Sequence, residues 1–245
     1  MPKIKNIDYI HFDSVGSTNT WVKEHTDSLK RDNLTCVSAA EQTQGRGRFH
    51  RKWISPKGKN IYATFHFCLP PGFASLANLG QILSLSCIAV LKKMGFAIDV
   101  KWPNDLLLGG KKLAGILCET LFFPDRIAVA LGIGLNVNMS DEELKAIDQP
   151  AASLTGVSKE ELLNAIAHQL LHDLNRLIEE GFSPFAKEYE KHLSQKGKKI
   201  SISNGAQRYE GVCLSIDATG KLLIQLPDGT IQTLSAGEIS NQNGM

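Results

Sequence analysis

Hydrophobic and polar residues follow two different periods along this chain, and the two periods predict both strands and helices. Short apolar or alternating runs that end at turn-forming residues are typical of strands. Such runs lie at residues 7–12, 34–40, 61–69, 98–101, 105–108, 112–119 and 126–137. Seven strands are therefore predicted before residue 138.

Three other stretches carry apolar residues at the spacing of a helix face. Ser17 is a suitable N-cap for the first predicted helix, over residues 18–29. The second helix carries Leu76, Leu79, Ile82, Leu83, Ile88 and Leu91 and stops at Gly95. Ser158 and Glu161 have the spacing of a capping box before the third helix. That helix carries Leu162, Leu163, Ile166, Leu170, Leu174, Leu177 and Ile178 on one face.

The pattern changes near residue 195, where short alternating runs and dense turn signals begin. The turns are Asn204-Gly205, residues 217–220 and Asp228-Gly229. Turn signals at this density predict about five short strands in a small barrel. The chain is therefore predicted to be α+β, with a larger domain over residues 1–194 and a small β-domain over residues 195–245.

Composition narrows the possible function classes. A formal net charge of +2 in 245 residues does not indicate a generally basic nucleic-acid binder. The five cysteines form no C-x-x-C pair, so buried reduced thiols are expected rather than a disulfide framework. Because the sequence has neither a signal-like N-terminus nor an apolar run long enough to span a bilayer, a cytoplasmic protein is expected.

The densest cationic stretch falls in a long predicted loop, residues 41–60, which is rich in glycine and lacks periodicity. Loops of this length inside compact domains are usually functional. Residues 46–59 include no acid and six cations: Arg46, Arg48, Arg51, Lys52, Lys57 and Lys59. Gly45 and Gly47 allow the backbone to approach a ligand closely. The stretch therefore predicts a site for a small anion or a phosphate group. A solvated basic turn or an RNA-contacting segment is the alternative.

The motif Lys101-Trp102-Pro103-Asn104-Asp105 offers candidate ligands for a metal ion. The oxygens of Asn104 and Asp105 suit Mg²⁺ that is shared with phosphates. The alternative interpretation is a turn built from proline, asparagine and aspartate.

A hairpin turn at Gly109-Gly110 would bring a cation next to that motif. In a two-residue turn, Leu107 pairs with Lys112 and Asp105 pairs with Ala114. Asp105 and Lys112 then share a face of the hairpin, roughly 7–8 Å apart at the backbone. The pair is predicted to straddle the phosphates of a nucleotide, and an exposed ion-paired hairpin is the alternative.

Glycines also interrupt the strand at Gly132-Ile133-Gly134-Leu135-Asn136. Val137 stands where a dinucleotide fingerprint has its third glycine, and no helix clearly follows, so a Rossmann motif is rejected. Glycines inside a strand instead predict the close approach of a ligand, and Asn136 could bridge ligand groups. His168 and His172 have the spacing of a zinc pair but lack the intervening glutamate, which favours ordinary histidines on a helix surface.

Taken in order, these motifs resemble the biotin protein ligase family over nearly the whole chain. The matching segments are Ser17-Thr18-Asn19 and residues 41–53, 101–105, 112–117 and 132–136. The resemblance implies a mixed-sheet catalytic domain similar to that of class II synthetases, followed by an SH3-like β-domain. It also implies ATP-dependent activation of biotin to biotinyl-5'-AMP. Biotin would then pass to a lysine of a biotin carboxyl carrier protein, from acetyl-CoA carboxylase or a related carboxylase.

The resemblance further implies roles for individual residues. Contacts to biotin are implied for Ser17, Thr18, Asn19, Gln42, Gly45, Arg46, Gly47, Arg48, Lys112, Gly115 and Gly134. Contacts to the nucleotide are implied for Arg48, Arg51, Trp53, Lys101, Asn104 and Asn136. Lys112 and Arg48 are the implied catalytic residues, and Asn104 and Asp105 are the implied ligands of Mg²⁺.

The sequence departs from the family pattern in three places. The core begins almost at once, so no winged-helix DNA-binding domain, repressor role or DNA partner is expected. Phe49-His50 fills positions that are often small or basic in the family, which could alter closure of the loop and, with it, affinity or retention of the adenylate. Asn241-Gln242 replaces an arginine that usually follows residues 237–240, which weakens the case for a nucleotide contact from the C-terminal domain.

Two other functions remain as alternatives. A lipoate ligase or octanoyltransferase has a similar catalytic fold, although the arginine-glycine loop and residues 101–105 favour biotin. A non-catalytic biotin or nucleotide sensor, whose β-domain recruits a partner, belongs to a different class. No membrane contact is expected, and a homodimer through a sheet edge is expected only by analogy with the family.

Overall fold

Seven strands form the first sheet of the protein, which a computed structural model describes over residues 3–205 and 207–241. They are β1 (Ile7–Phe12), β2 (Leu34–Ala39), β3 (Ile61–Leu69), β4 (Ile98–Lys101), β5 (Asp105–Leu108), β6 (Lys111–Phe122) and β7 (Ile127–Leu135). Their spatial order is β1-β2-β3-β7-β6-β5-β4. β1 and β2 pair in parallel and the other neighbours pair antiparallel, so the sheet is mixed, as predicted.

In the described part of the chain, five α-helices accompany the sheet. They are α1 (Thr18–His25), α2 (Leu79–Lys93), α3 (Asp141–Lys145), α4 (Lys159–Glu180) and α5 (Ser183–Lys191). α2 and α4 pack together over one face of the sheet and enclose the main hydrophobic core. α1 packs on the opposite face, against β2, β3 and β7, over a small cluster formed by Val22, Val37 and Ala130.

The predicted elements differ from the observed ones mainly at their ends. Ser17 caps α1 as predicted, but the α-helix stops at His25 and a 3₁₀ turn continues to Ser28, whose hydroxyl donates to the His25 carbonyl. Ser158 likewise caps α4 by accepting from the Glu161 N–H. α5 was not predicted, because its apolar pattern spans only about two turns.

Five further strands form a separate C-terminal antiparallel sheet, in agreement with the number predicted. They are β8 (Lys199–Asn204), β9 (Gln207–Ile216), β10 (Leu222–Gln225), β11 (Ile231–Leu234) and β12 (Glu238–Asn241), in the order β11-β10-β9-β8-β12. The turn at residues 217–220 docks on α2 and on Trp102. Its Thr219 carbonyl accepts from Asn78 at 2.8 Å, and its Gly220 carbonyl accepts from Gln81 at 2.9 Å and from the Trp102 indole at 3.1 Å.

Two expectations about the rest of the chain can be compared with the fold. Cys36, Cys87 and Cys213 are buried, Cys68 is partly buried and Cys118 is exposed, and all five are free thiols. None of the described helices combines the length and apolar character that crossing a bilayer would need.

Candidate active site

The two faces of the first sheet have different surroundings. One face packs against the main core, and the face that carries α1 holds a cleft. On β7, Leu131, Ile133 and Leu135 point into the main core. Gly132 and Gly134 therefore open toward the other face, because successive residues of a strand point to opposite sides. Their missing side chains leave room there. A Cβ on Gly132 would lie 2.9 Å from Cγ of Asn19 on α1.

The predicted site residues converge on this cleft. It is lined by Ser17, Thr18, Asn19, Gln42, Arg46, Gly47, Arg48, Arg51, Trp53, Lys101, Asn104, Asp105, Lys112, Gly115 and Gly134. Two predicted residues lie outside its wall. Gly45 sits at the base of the loop, where a Cβ would approach Trp53 O to 2.6 Å. Asn136 is buried beside a neighbouring chamber and donates to the Ala152 carbonyl at 3.0 Å.

One end of the cleft is a network of neutral hydrogen bonds around Thr18. The Gln42 side-chain oxygen accepts from the Thr18 N–H at 2.9 Å and from its hydroxyl at 3.1 Å. Thr64 lies 2.8 Å from the Thr18 hydroxyl and 2.6 Å from the Asn19 side-chain oxygen. Thr18, Asn19 and Thr64 are all buried, so this end can present polar atoms to a ligand in fixed positions.

The arginine-glycine loop, residues 42–53, folds into a small hairpin rather than an irregular coil. Its base is closed by Trp53 N–H donating to Gly45 O at 2.9 Å, and Arg46 pairs with Lys52 as an antiparallel bridge. Phe49 at the tip has a φ of 57°, in the left-handed region that bulky residues rarely adopt. Its ring is 61% exposed, so the bulkiest residue of the tip projects into solvent.

Acids from distant elements neutralise part of the positive charge predicted for the loop. Arg51 forms an ion pair with Glu238 of β12. Arg46 donates to Thr20 at 2.9 Å and lies 3.6 Å from Glu119 of β6. The run of cations in the sequence therefore overstates the positive field at the cleft.

Arg48 is held by three groups at the mouth of the cleft. Its guanidinium donates to the Asn104 side-chain oxygen at 3.0 Å and to the Gly237 carbonyl at 3.2 Å, and it lies 4.9 Å from the centre of the Phe49 ring. Burial lowers the pKa of Arg48, and the nearby Asp105 and Glu238 carboxylates oppose that shift. An arginine remains charged in this setting, and this one links the turn before β5 to the residue that precedes β12.

Lys112 forms an ion pair with Asp105 at 2.9 Å, and both side chains are mostly buried. Leu107 pairs with Lys112 as predicted, but the predicted pairing of Asp105 with Ala114 is wrong. The strand register shifts between Leu106 and Leu107, so Asp105 pairs with Gly115. A bulge of this kind places an extra residue on one strand, which keeps Lys112 on the cleft side. The pair is therefore not the exposed hairpin ion pair of the alternative interpretation.

Trp53 lies across the middle of the cleft on the two glycines. A Cβ at Gly134 would overlap the indole and lie 2.7 Å from its Cζ2 atom, and a Cβ at Gly115 would lie 3.1 Å from its Cζ3 atom. The Lys112 ammonium is 5.5 Å from the ring centre. The indole N–H of Trp53 is buried and has no hydrogen-bond partner among the described residues. A buried donor without a partner is costly, so this N–H is a candidate contact for a bound ligand.

A second chamber adjoins the cleft on the far side of Trp53 and Lys112. Both residues line it, together with Arg51, Lys52, Ile54, Asn136, Ile147, Asp148, Gln149 and Ala151. The two chambers share a wall, so one elongated ligand could occupy both.

The described residues include no group of three histidine, cysteine or acidic side chains that could hold a metal ion alone. Asn104 and Asp105 do bring an amide oxygen and a carboxylate to the cleft wall. Magnesium is commonly held by one or two carboxylates plus substrate phosphates, so this donor set fits a cation that arrives with a nucleotide. His168 and His172 lie on the surface of α4, away from the cleft; their Nδ1 atoms face Asn164 O and Asp173 respectively.

Several residues of the site were not identified from the sequence. Thr64 is one of the few polar residues in an otherwise apolar strand, and that contrast could have marked it. Glu238 belongs to a recognised motif, but its role depends on the docking of the second sheet. The chamber residues Ile147 and Gln149 follow no local pattern that would have marked them, and neither does Glu119, which contacts Asn19 and Arg46 from outside the cleft.

Comparison with known proteins identifies two sequence families in the chain. Residues 11–138 match the Biotin/lipoate A/B protein ligase family. Residues 197–240 match the family described as Biotin protein ligase C terminal domain. The first match includes β2 to β7, and the second includes nearly all of the C-terminal sheet.

Individual relatives extend over most of the chain. The bifunctional ligase/repressor BirA of Escherichia coli is 32% identical over 232 residues, which are 92% of this chain and 71% of that protein. A biotin–[acetyl-CoA-carboxylase] ligase of Paracoccus denitrificans is 32% identical over 218 residues, 83% of this chain and 88% of that one. The structure of a biotin protein ligase from Aquifex aeolicus in complex with biotin and ATP superposes with a TM-score of 0.79 at 30% identity. It covers 95% of this chain and 97% of that chain.

Proposed function

This chain belongs to the biotin protein ligase family, and from that premise we propose that it activates biotin with ATP and attaches it to a protein. In the first step a carboxylate oxygen of biotin attacks the α-phosphorus of ATP, and the bond to pyrophosphate breaks. The product is biotinyl-5'-AMP. In the second step the amine of a carrier lysine attacks the acyl carbon, AMP leaves, and an amide bond forms.

This proposal rests on one observation: the groups that line the cleft are neutral at one end and charged at the other. Neutral hydrogen-bonding groups around Thr18 lie at one end, and the Lys112–Asp105 pair and Arg48 lie at the other. Biotin has the same polarity, because a neutral ureido head group is joined by an apolar chain to a carboxylate. The head group would bind at the Thr18 end, and the carboxylate would reach Lys112.

Charge compensation is the main demand of the first step. A carboxylate must approach a triphosphate, and positive groups placed where charge develops are the most effective catalysts of such a reaction. Lys112 would stand between the biotin carboxylate and the α-phosphate. Arg48, at the mouth of the cleft, would contact the phosphate and close the loop over the adenylate, which also excludes water from an acyl group prone to hydrolysis.

The nucleotide would use the second chamber and the wall near the C-terminal sheet. Asn136 lines that chamber, and Arg51, Trp53, Lys101 and Asn104 line the cleft leading to it. Asn104 and Asp105 would hold Mg²⁺, which when bound neutralises phosphate charge. For Arg51 to bind a phosphate, its ion pair with Glu238 would have to open or be shared.

The wider assignments rest on the same family relation. The carrier protein would be the biotin carboxyl carrier of acetyl-CoA carboxylase or of a related carboxylase, in the cytoplasm. The chain would divide near residue 195 into a catalytic part and an SH3-like part, consistent with the second family match, which begins at residue 197. A homodimer through a sheet edge remains a prediction by analogy.

The direct test is to incubate the protein with biotin, Mg²⁺ and α-labelled ATP, with and without a carrier domain. Biotinyl-AMP without the carrier, and a biotinylated carrier lysine with it, are the expected products. Product from lipoate but not from biotin would overturn the assignment of substrate. Formation of biotinyl-AMP without transfer of biotin to any carrier domain would instead support the alternative function, a sensor.

A further inference from the structure

Glu119 on β6 lies where three parts of the site meet. Its carboxylate accepts from Lys23 of α1 at 2.5 Å and from the Asn19 side-chain amide at 3.0 Å, and it lies 3.6 Å from Arg46 of the arginine-glycine loop. About a quarter of the side chain is exposed. Glu119 does not line the cleft, so any effect on the reaction would act through these neighbours.

The contact with Asn19 fixes which way that amide points. An ionised carboxylate only accepts hydrogen bonds, so it selects the NH₂ end of Asn19. The backbone carbonyls of Leu117 and Ala130 face the same NH₂ group at 3.2 and 3.4 Å. The oxygen of Asn19 is left facing Thr64 and the space above Gly132, where it presents an acceptor to the head-group end of the cleft.

The contact with Arg46 ties the arginine-glycine loop to the same carboxylate. Arg46 stands at the base of the loop hairpin, where it bridges to Lys52, and its guanidinium also donates to Thr20 of α1. The loop base is therefore held against α1 by the Thr20 hydroxyl and against β6 by the Glu119 carboxylate. A substitution of Glu119 that shifts Asn19 would therefore also weaken the contact with Arg46 that anchors the base of the loop.

Glu119 carries its negative charge at neutral pH. Burial disfavours the ionised form, but the hydrogen bonds from Lys23 and Asn19, together with the positive charges of Lys23 and Arg46, outweigh it and hold the pKa of Glu119 below its ordinary value. The carboxylate can thus bind Arg46 electrostatically and select the amide end of Asn19 at the same time.

We propose that Glu119 is a positioning residue that couples the head-group end of the cleft to closure of the arginine-glycine loop. The proposal rests on the proposed ligase function and adds to it a residue that touches neither biotin nor ATP. Through Asn19 it orients an acceptor for the head group, and through Arg46 it holds the loop base that covers the adenylate.

The test compares Glu119→Gln with wild type in adenylate synthesis. A neutral amide of nearly the same size weakens the acceptor that holds the Asn19 NH₂ group and releases Arg46. Loss of hydrogen bonds to a charged group is expected to raise the KM for biotin about tenfold and to speed release of biotinyl-AMP by a similar factor. The KM for ATP and kcat should change by less than about threefold, since Lys112 and Arg48 are untouched.

Two further variants distinguish a positioning role of Glu119 from a role in stabilising the fold alone. Glu24→Gln makes the same charge change on α1, where Glu24 is exposed, and should leave both measurements at the wild-type value. Lys23→Met removes the ion pair with Glu119 but leaves Asn19 and Arg46 in contact with the carboxylate. It should lower the melting temperature about as much as Glu119→Gln does, with biotin KM nearly unchanged.

An equal rise of biotin KM in Lys23→Met and Glu119→Gln would overturn the proposal, because the carboxylate would then only stabilise the fold. An unchanged biotin KM in Glu119→Gln would overturn it as well. Failure of the wild-type protein to make any biotinyl-AMP would instead refute the proposed function, which these variants do not test.

Discussion

The two ends of the cleft hold their polar groups in opposite ways. Around Thr18, buried neutral groups bind one another and leave their ligand-facing atoms fixed. Around Lys112 and Arg51, cations bind acids of the protein itself, Asp105 and Glu238. The first end is a rigid template. The second end is a set of ion pairs whose members can exchange a protein carboxylate for a ligand phosphate.

This difference assigns separate tasks to the two ends. A neutral buried network discriminates well, because a ligand that fails to match it leaves buried groups unpaired. In the proposed reaction it would add little to rate, since it would contact the ligand equally before and during the chemical step. The charged end responds to charge that develops during the reaction. Changes at the neutral end should therefore raise KM for biotin, and changes at the charged end should lower kcat.

The largest effect is expected from Lys112→Ala. Removal of one charged donor at the reacting phosphate should slow adenylate synthesis by about 10²–10³-fold, measured as biotinyl-AMP from α-labelled ATP. Lys111→Ala is the matched control, because Lys111 is the neighbouring lysine and is exposed. Near-normal synthesis in Lys112→Ala, with an unchanged melting temperature, would remove Lys112 from the mechanism and break the contrast between the two ends.

Gly134→Ala should act on the middle of the cleft. The added methyl group would overlap the ring of Trp53, with its Cζ2 atom only 2.7 Å away, and would force the indole away. Overpacking of this kind typically costs about 1–3 kcal/mol, so biotin binding should weaken about 10- to 100-fold, measured by calorimetric titration. Gly16→Ala is the control, since a Cβ there meets nothing within 4 Å. Equal affinities of the two variants for biotin would show that the Trp53 side chain moves aside at little energetic cost.

Arg48→Ala should shorten the lifetime of the bound adenylate. The loop would lose its contacts with Asn104 and with the Gly237 carbonyl. Hydrogen bonds to charged groups contribute about 1.5–3 kcal/mol, so release should be at least about tenfold faster, with biotin appearing on bystander proteins. Lys57→Ala, an exposed cation of the same long loop, should release adenylate at the wild-type rate. A release rate that does not change in Arg48→Ala would argue against the loop as a cover.

Thr64→Val is expected to have the smallest effect and to alter only the neutral end. Loss of the hydroxyl leaves the Asn19 oxygen short of a donor and should raise the KM for biotin about five- to tenfold, with kcat nearly constant. Thr35→Val is the matched control on β2, because the Thr35 hydroxyl is buried without a partner among the described residues. A fall in kcat in Thr64→Val would show that the two ends do not act separately.

The fold was largely predictable because most elements carry their own signal. β3 and β4 follow uninterrupted local patterns, and their observed bounds, Ile61–Leu69 and Ile98–Lys101, equal the predicted ones. The end of α1 was not predictable, since a hydroxyl at Ser28 competes for a carbonyl there. The bulge in β6 was missed as well, because the sequence around Lys112 contains no mark of an extra residue.

The residues of the candidate site that belong to sequence motifs could be predicted. The contacts that form only when distant elements pack together could not. Lys112 and Asp105 were expected on one face, and they meet, although through a register that differs by one residue. The partners of the loop arginines could not be read from the loop. Glu119 and Glu238 come from β6 and β12, and only the assembled fold brings them within reach of Arg46 and Arg51.

The docked turn at Gly220 limits how this protein can be shortened. A chain cut just before β8 would leave the buried indole N–H of Trp102 and the side-chain amides of Asn78 and Gln81 without the backbone carbonyls that they now contact. It would also strip Arg48 of one of its acceptors, the Gly237 carbonyl. The C-terminal residues therefore supply hydrogen-bond acceptors that the larger part of the protein needs. A shortened form of the protein, made as a reagent for labelling proteins, would need replacements for those acceptors.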